Sequence, residues 1–191
     1  MTLKQRLAGA TLKLFGWKCK GSLPPEIKKC VIIAAPHTAI VDFFVGRLFY
    51  WKVGTPVKFM MKIEFFKNPI MRRAVTHMGC IPVDRGKRNN MVEKMVEMFN
   101  SVDAMNLVIC PEGTRKYVKH WKKGFYYIAM QANVPIVLGY LNFKKKECGY
   151  GPIFYPTGEY KEDLKKIQNF YRDKTAYHPE KFNLDPMYER N

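Results

Sequence analysis

The chain has 191 residues, 47% of them apolar, which suffices for one domain with a real core and rules out a disordered segment. Its 33 Lys and Arg against 16 Asp and Glu leave a formal charge of +17 and predict an anionic partner: nucleic acid, a phosphorylated small molecule or an acidic membrane surface. The five cysteines, Cys19, Cys30, Cys80, Cys110 and Cys148, are odd in number and scattered. They fit neither a disulfide framework nor a C-x-x-C metal site and read as reduced and mostly packed.

In chain order, Leu3, Leu7, Ala10, Leu14 and Trp17 recur at helical spacing with Lys4, Arg6, Lys13 and Lys18 around them. Such a basic amphipathic helix either lies in a membrane interface or packs its apolar stripe on the domain. Charges threaded through residues 2–20 leave no apolar core for a secretory signal, so none is expected. Gly21-Ser22-Leu23-Pro24-Pro25 reads as a linker. The predicted organisation is therefore a helix and linker over residues 1–25, one domain over 26–175 and a tail over 176–191.

Val31-Ile32-Ile33-Ala34-Ala35 has the unbroken apolar character of a buried strand, and Phe43 to Trp51, apolar apart from Arg47, that of a buried helix. Between them lies Pro36-His37-Thr38-Ala39-Ile40-Val41-Asp42. Residues five apart on a regular helix point about 140° away from each other. His37 and Asp42 can therefore meet only if the histidine sits in the turn and the aspartate in the helix behind it. That geometry lets a carboxylate hold an imidazole in one tautomer while the other ring nitrogen accepts a proton. The plain alternative is a His that ends a strand and an Asp near a helix N-terminus.

Further strands are expected at Pro56–Met61, Cys80–Val83 and Leu107–Cys110, and helices after Asn68-Pro69 and over Asn89–Phe99. The uncharged run from Phe125 to Phe143 is about long enough to cross a bilayer. Gln131-Ala132-Asn133-Val134-Pro135 breaks it into a helix followed by a strand. Lys144 to Tyr155 reads as a hairpin return and Glu159 to Tyr171 as a surface helix. Strands alternating with helices predict a single α/β domain, its mixed, largely parallel sheet flanked by helices.

Asp84-Arg85 follows the third predicted strand and Pro111-Glu112-Gly113-Thr114-Arg115 the fourth. If both share a sheet with the first strand, three polar loops converge on one rim, where α/β proteins bind ligands. Arginines there suit phosphate or an oxyanion, and Gly113 permits close backbone approach. Each taken singly is a solvated loop residue.

With His37-x-x-x-x-Asp42, Gly79-x-Ile81-x-x-x-Arg85, Glu112-Gly113-Thr114-Arg115 and Val134-Pro135-Ile136 in this order, the chain resembles the glycerolipid acyltransferase family. Members of that family include 1-acylglycerol-3-phosphate and other lysophospholipid acyltransferases. Lys62-x-Glu64 and Lys123-Gly124 extend the match. The resemblance implies a glycerol-3-phosphate acyltransferase-like fold. It also implies transfer of a fatty acyl group from acyl-CoA or acyl carrier protein to a lysolipid hydroxyl, lysophosphatidic acid first, in phospholipid biosynthesis. His37 is then the general base and Asp42 its orienting partner. Lys62, Arg85 and Arg115 hold the acceptor's anionic head, and Glu112, Gly113 and Thr114 complete its site. Neither metal nor cofactor is implied, because a thioester is already activated. The expected setting is the cytoplasm, peripheral on the inner membrane face.

Ser22 and Ser101 are the only serines and neither lies in a G-x-S-x-G elbow, which agrees with attack by the substrate's own oxygen. The chain departs from the family at Leu138, where a second proline is common, at Cys110, where Phe is common, and in its short N-terminal helix. Trp121, Phe125, Tyr126 and Tyr127 either line an acyl groove or form ordinary core. Four other readings remain open: acylation of another lysolipid, including an amino-acid-based one; a Cys110 acyl-enzyme; a lipid-binding protein without catalysis; and a basic nucleic-acid-binding module. The last has no recognisable binding block, and no nucleic acid is expected.

Overall fold

The computed structural model describes residues 1–84 and 91–184. The chain runs α1 (Leu3–Leu14), β1 (Lys18–Lys20), β2 (Lys29–Ala35), α2 (Ile40–Val53), β3 (Lys58–Lys62), α3 (Pro69–His77), β4 (Cys80–Val83), α4 (Met91–Asn100) and β5 (Met105–Ile109), then α5 (Gly124–Gln131), β6 (Ile136–Asn142), β7 (Glu147–Phe154) and α6 (Tyr160–Tyr171). Short 3-10 turns cover Ile63–Phe66 and Pro179–Lys181. The strands form one sheet in the order β1-β7-β6-β2-β5-β3-β4. From β6 through β4 all neighbours are parallel, β7 returns antiparallel to β6, and β1 runs parallel to β7. The α/β architecture with a mostly parallel, helix-flanked sheet is the one the alternation predicted.

β2 is the middle strand, and Cys30 to Ile33 are fully buried because helices cover both faces. On one face Val31, Ile33, Leu107 and Ile136 pack with Phe99, Phe125 and Leu164 from α4, α5 and α6. On the other, Cys30, Ile32, Val108 and Val137 meet Leu12, Val45, Phe49 and Tyr50 from α1 and α2. Alternate residues of the same strands thus serve two cores.

Several local signals behave as expected. The Asn68 side chain accepts from the N–H groups of Ile70 and Met71, with Pro69 in the first turn of α3. The β6–β7 hairpin turns at 143–146, and no helix among the described residues is long and apolar enough to cross a membrane. Trp121, Phe125 and Tyr126 belong to the core and not to a groove; only Tyr127 of the four is exposed.

Three features were not legible in the chain. Lys18-Cys19-Lys20 forms an edge strand too short and too charged to show a period. The stretch after α6 folds back on the domain: Ala176 is buried, and the Asn183 carbonyl accepts from Trp121 Nε1. Finally, α1 packs on α2 through Ala8 and Leu12, so its Leu3, Leu7 and Leu14 stripe faces outward, 73%, 59% and 82% exposed. Gly16, in a left-handed conformation (φ +78°), ends this helix, with its N–H on the Lys13 carbonyl.

A buried polar cluster ties α5 to α6. Asp163, at 0% exposure, accepts from Tyr126 Oη at 2.7 Å, Thr157 N at 2.7 Å and Thr157 Oγ1 at 2.9 Å. Asp163→Ala strands these donors, each costing roughly 1–3 kcal/mol. A clearly lowered urea midpoint is expected, and an unchanged midpoint would show that the cluster carries no stability.

Candidate active site

The parallel strands β2, β3, β4 and β5 all end at the same rim. The register Ile33↔Ile109 sets β2 beside β5, so the residues just past each strand, His37 and Glu112, face one another across the loops. The β2–α2 turn begins with a cis Ala35–Pro36 peptide. His37 Nδ1 lies 3.3 Å from Asp42 Oδ2. Asp42 sits in the first turn of α2, where its Oδ2 also accepts from the N–H groups of Thr38 (2.6 Å) and Ala39 (2.8 Å). These are the unpaired donors of a helix start, and the N-cap, Ala39, has no side chain to satisfy them. The carboxylate therefore both caps the helix and orients the ring. Its side chain is 3% exposed and that of His37 22%, so the anchor is dry and the base is reachable. With Nδ1–H on Asp42, Nε2 is the nitrogen left to take a proton.

Glu112 supports the same loop from β5. It is 2% exposed, and its Oε1 accepts from His37 N–H at 2.9 Å. Burial pushes its carboxyl up to about 8, with the Asp42 charge adding to the rise against two backbone hydrogen bonds. Its Oε2 has no partner among the described residues. From the far end of the chain, His178 N–H donates to Thr38 Oγ1 at 3.1 Å. The loop between His37 and Asp42 is thus held by five contacts, two of them to distant segments.

Gly113 takes φ +65°, a left-handed conformation that favours glycine, with the flexible end of the Lys122 side chain lying against it. Thr114 Oγ1 accepts from Lys116 N–H at 3.3 Å, and Arg115 is exposed on this loop. Lys62 ends β3 at the same rim with Nζ 3.8 Å from Glu64 Oε1, both side chains about half exposed. Arg85 lies outside the described residues. No cluster of three or more potential metal ligands occurs among the described residues. His178 and Ala39 escaped sequence reasoning because a backbone donor 140 positions away and an alanine cap leave no side-chain signature.

The α/β sheet thus carries a histidine held by a buried carboxylate at the C-terminal rim of its parallel strands, with Lys62 and Arg115 on loops of that rim, where α/β proteins bind ligands. The family model described as Acyltransferase matches residues 18–138, and the chain belongs to this glycerolipid acyltransferase family. It is similar to a 1-acyl-sn-glycerol-3-phosphate acyltransferase of Limnanthes douglasii, 27% identical over 137 residues covering 69% of this chain and 47% of the relative. One from Cocos nucifera is 30% identical over 106 residues, covering 53% and 33%. The chain thus spans at most about half the length of these plant relatives. The fold is that of a crystal structure of PlsC, a 1-acyl-sn-glycerophosphate acyltransferase of Thermotoga maritima. The TM-score is 0.63 at 16% identity, covering 87% of this chain and 74% of that one.

Proposed function

We propose that the protein transfers a fatty acyl group from acyl-CoA or acyl carrier protein to the hydroxyl of a lysolipid, 1-acylglycerol-3-phosphate foremost. The 3.3 Å contact between His37 Nδ1 and Asp42 Oδ2 carries this reading. His37 Nε2 takes the acceptor's hydroxyl proton as that oxygen attacks the thioester carbonyl. The tetrahedral intermediate then collapses, the C–S bond breaks, and the leaving thiolate receives the proton from the imidazolium. Asp42 holds the ring and balances its transient charge. Exposed Arg115 and Lys62, with Arg85 added by the family resemblance, grip the acceptor's phosphate. Glu112, Gly113 and Thr114 shape the loop that receives its glycerol part. Thiol release by the purified protein, measured with both donors against a panel of lysolipids, tests this. Turnover on a lysolipid is expected, and Cys110→Ser should leave it unaltered. No acyl transfer to any lysolipid would remove the reading.

The outward Leu3, Leu7 and Leu14 stripe, edged by Lys4, Arg6 and Lys13, supports peripheral docking on an anionic inner leaflet, which would deliver acceptor and product at the lipid surface. Burying each leucine is worth roughly 1.5–3 kcal/mol. The Leu7→Glu/Leu14→Glu variant is therefore expected to lose at least about tenfold in binding to phosphatidylglycerol-containing vesicles by sedimentation, while its folded fraction is unchanged. Undiminished binding would refute docking through this face.

A further inference from the structure

On the edge of the sheet farthest from β4, Cys19 of β1 and Cys148 of β7 are register partners on adjacent parallel strands. Their Sγ atoms are 3.7 Å apart. Neighbouring strands run about 4.8 Å apart, inside the roughly 4.4–6.8 Å between Cα atoms that a disulfide spans. The two thiols differ in environment. Cys148 is buried, and its hydrogen bond with Cys19, reinforced by burial, holds its thiol far above the ordinary range. Cys19 is half-buried and lies beside the Lys52 ammonium. The hydrogen bond from Cys148, aided by Lys52 and opposed by burial, brings Cys19 down to about 6.

Cys19 opens onto a groove of about 710 Å³ between α1 and β1, lined by Arg6, Lys13, Lys18, Lys20 and Lys52, with no acidic residue on its walls. The remaining cysteines offer nothing comparable in that groove. Cys30, for example, is buried, donates to Asn106 Oδ1 and is pushed up to about 12.

We propose that Cys19 and Cys148 form a thiol–disulfide exchange site for anionic low-molecular-weight disulfides, with Cys19 attacking, Cys148 resolving and the cationic groove drawing the disulfide in. The Cys19 thiolate attacks one sulfur of the disulfide. That S–S bond breaks, a mixed disulfide forms, and one thiolate leaves and is protonated by solvent. Cys148 then gives up its proton and attacks the Cys19 sulfur, which expels the second thiolate. Two protein thiols lose two electrons, and the small disulfide gains them as two thiols. The product ties β1, and with it the α1 end of the chain, to β7 across 129 positions.

The test compares anionic glutathione disulfide with cationic cystamine on the native protein near neutral pH. With glutathione disulfide, two of the five thiols are expected to disappear, and peptide mapping should find Cys19 linked to Cys148. Its initial rate should exceed that of cystamine at least about tenfold, with the advantage shrinking as salt rises. Cys148→Ala should stop at one glutathione on Cys19, and Cys19→Ser should not react. Because Cys148 packs in the core, a readout free of substitutions stands beside these: iodoacetamide labelling of Cys19 in the native chain, half-maximal near pH 6. All five thiols surviving, glutathione attached elsewhere, or labelling that begins only above about pH 8 would overturn the site. Equal rates for the two disulfides would overturn the role of the groove.

Discussion

Replacing His37 by alanine is expected to lower kcat for thiol release by roughly 10²- to 10⁴-fold, the range a positioned general base supplies, with little change in KM for either substrate. The reason is geometric: with Nδ1 committed to Asp42, Nε2 is the reachable proton acceptor on the ring. Asp42 tests the other half of the pair. Thr38 and Ala39 N–H both need an acceptor where Oδ2 stands, so in Asp42→Asn the amide oxygen is held in that place and the capping survives. What disappears is the negative charge opposite the imidazolium. A hydrogen bond to a charged group is worth about 1.5–3 kcal/mol, which converts to roughly 10- to 10²-fold in kcat. Asp42→Ala, which also strands the two N–H groups, should fall further and melt earlier. Unchanged kcat in both His37→Ala and Asp42→Asn would eliminate the general-base assignment.

Glu112→Ala should damage both stability and turnover. It strands the partly buried His37 N–H at a cost of up to roughly 1–3 kcal/mol and releases the loop that aims the imidazole. Glu112→Gln keeps an acceptor oxygen for that N–H and is expected to fold normally. The pair also carries a pH signature. The folded chain holds the Glu112 carboxyl at about 8, against an ordinary value of 4.5. Between those values the folded state binds a proton that the unfolded chain has released, so stability declines as pH rises and stops declining above about 8. Glu112→Gln has no such proton. Its urea midpoint relative to the parent should therefore climb from about pH 5 to pH 8 and then level off. A constant offset across that range would mean that Glu112 is ionised throughout.

Most of the strands and their alternation with helices were readable because each rests on local pattern. The unbroken apolar run at Val31–Ala35 marks a doubly covered strand, and Asn68-Pro69 carries its own cap. The five-residue spacing of His37 and Asp42 admits a meeting only across a turn into a helix, which is the geometry found. Glu112, by contrast, could be placed at a strand end, but not on the His37 backbone. That contact depends on β5 inserting between β2 and β3, a choice of strand order made by both faces of the sheet together. The same holds for α1, whose Leu3, Leu7 and Leu14 point away from the domain while Ala8 and Leu12 are buried against it. It holds also for Cys19, which met Cys148 only once the sheet gained its last edge. Sequence alone therefore determined most of the elements and the spacing that lets His37 meet Asp42, since periodicity and capping act over a few residues. Tertiary structure decided which faces stay open and which distant groups touch, because those follow from how whole layers pack.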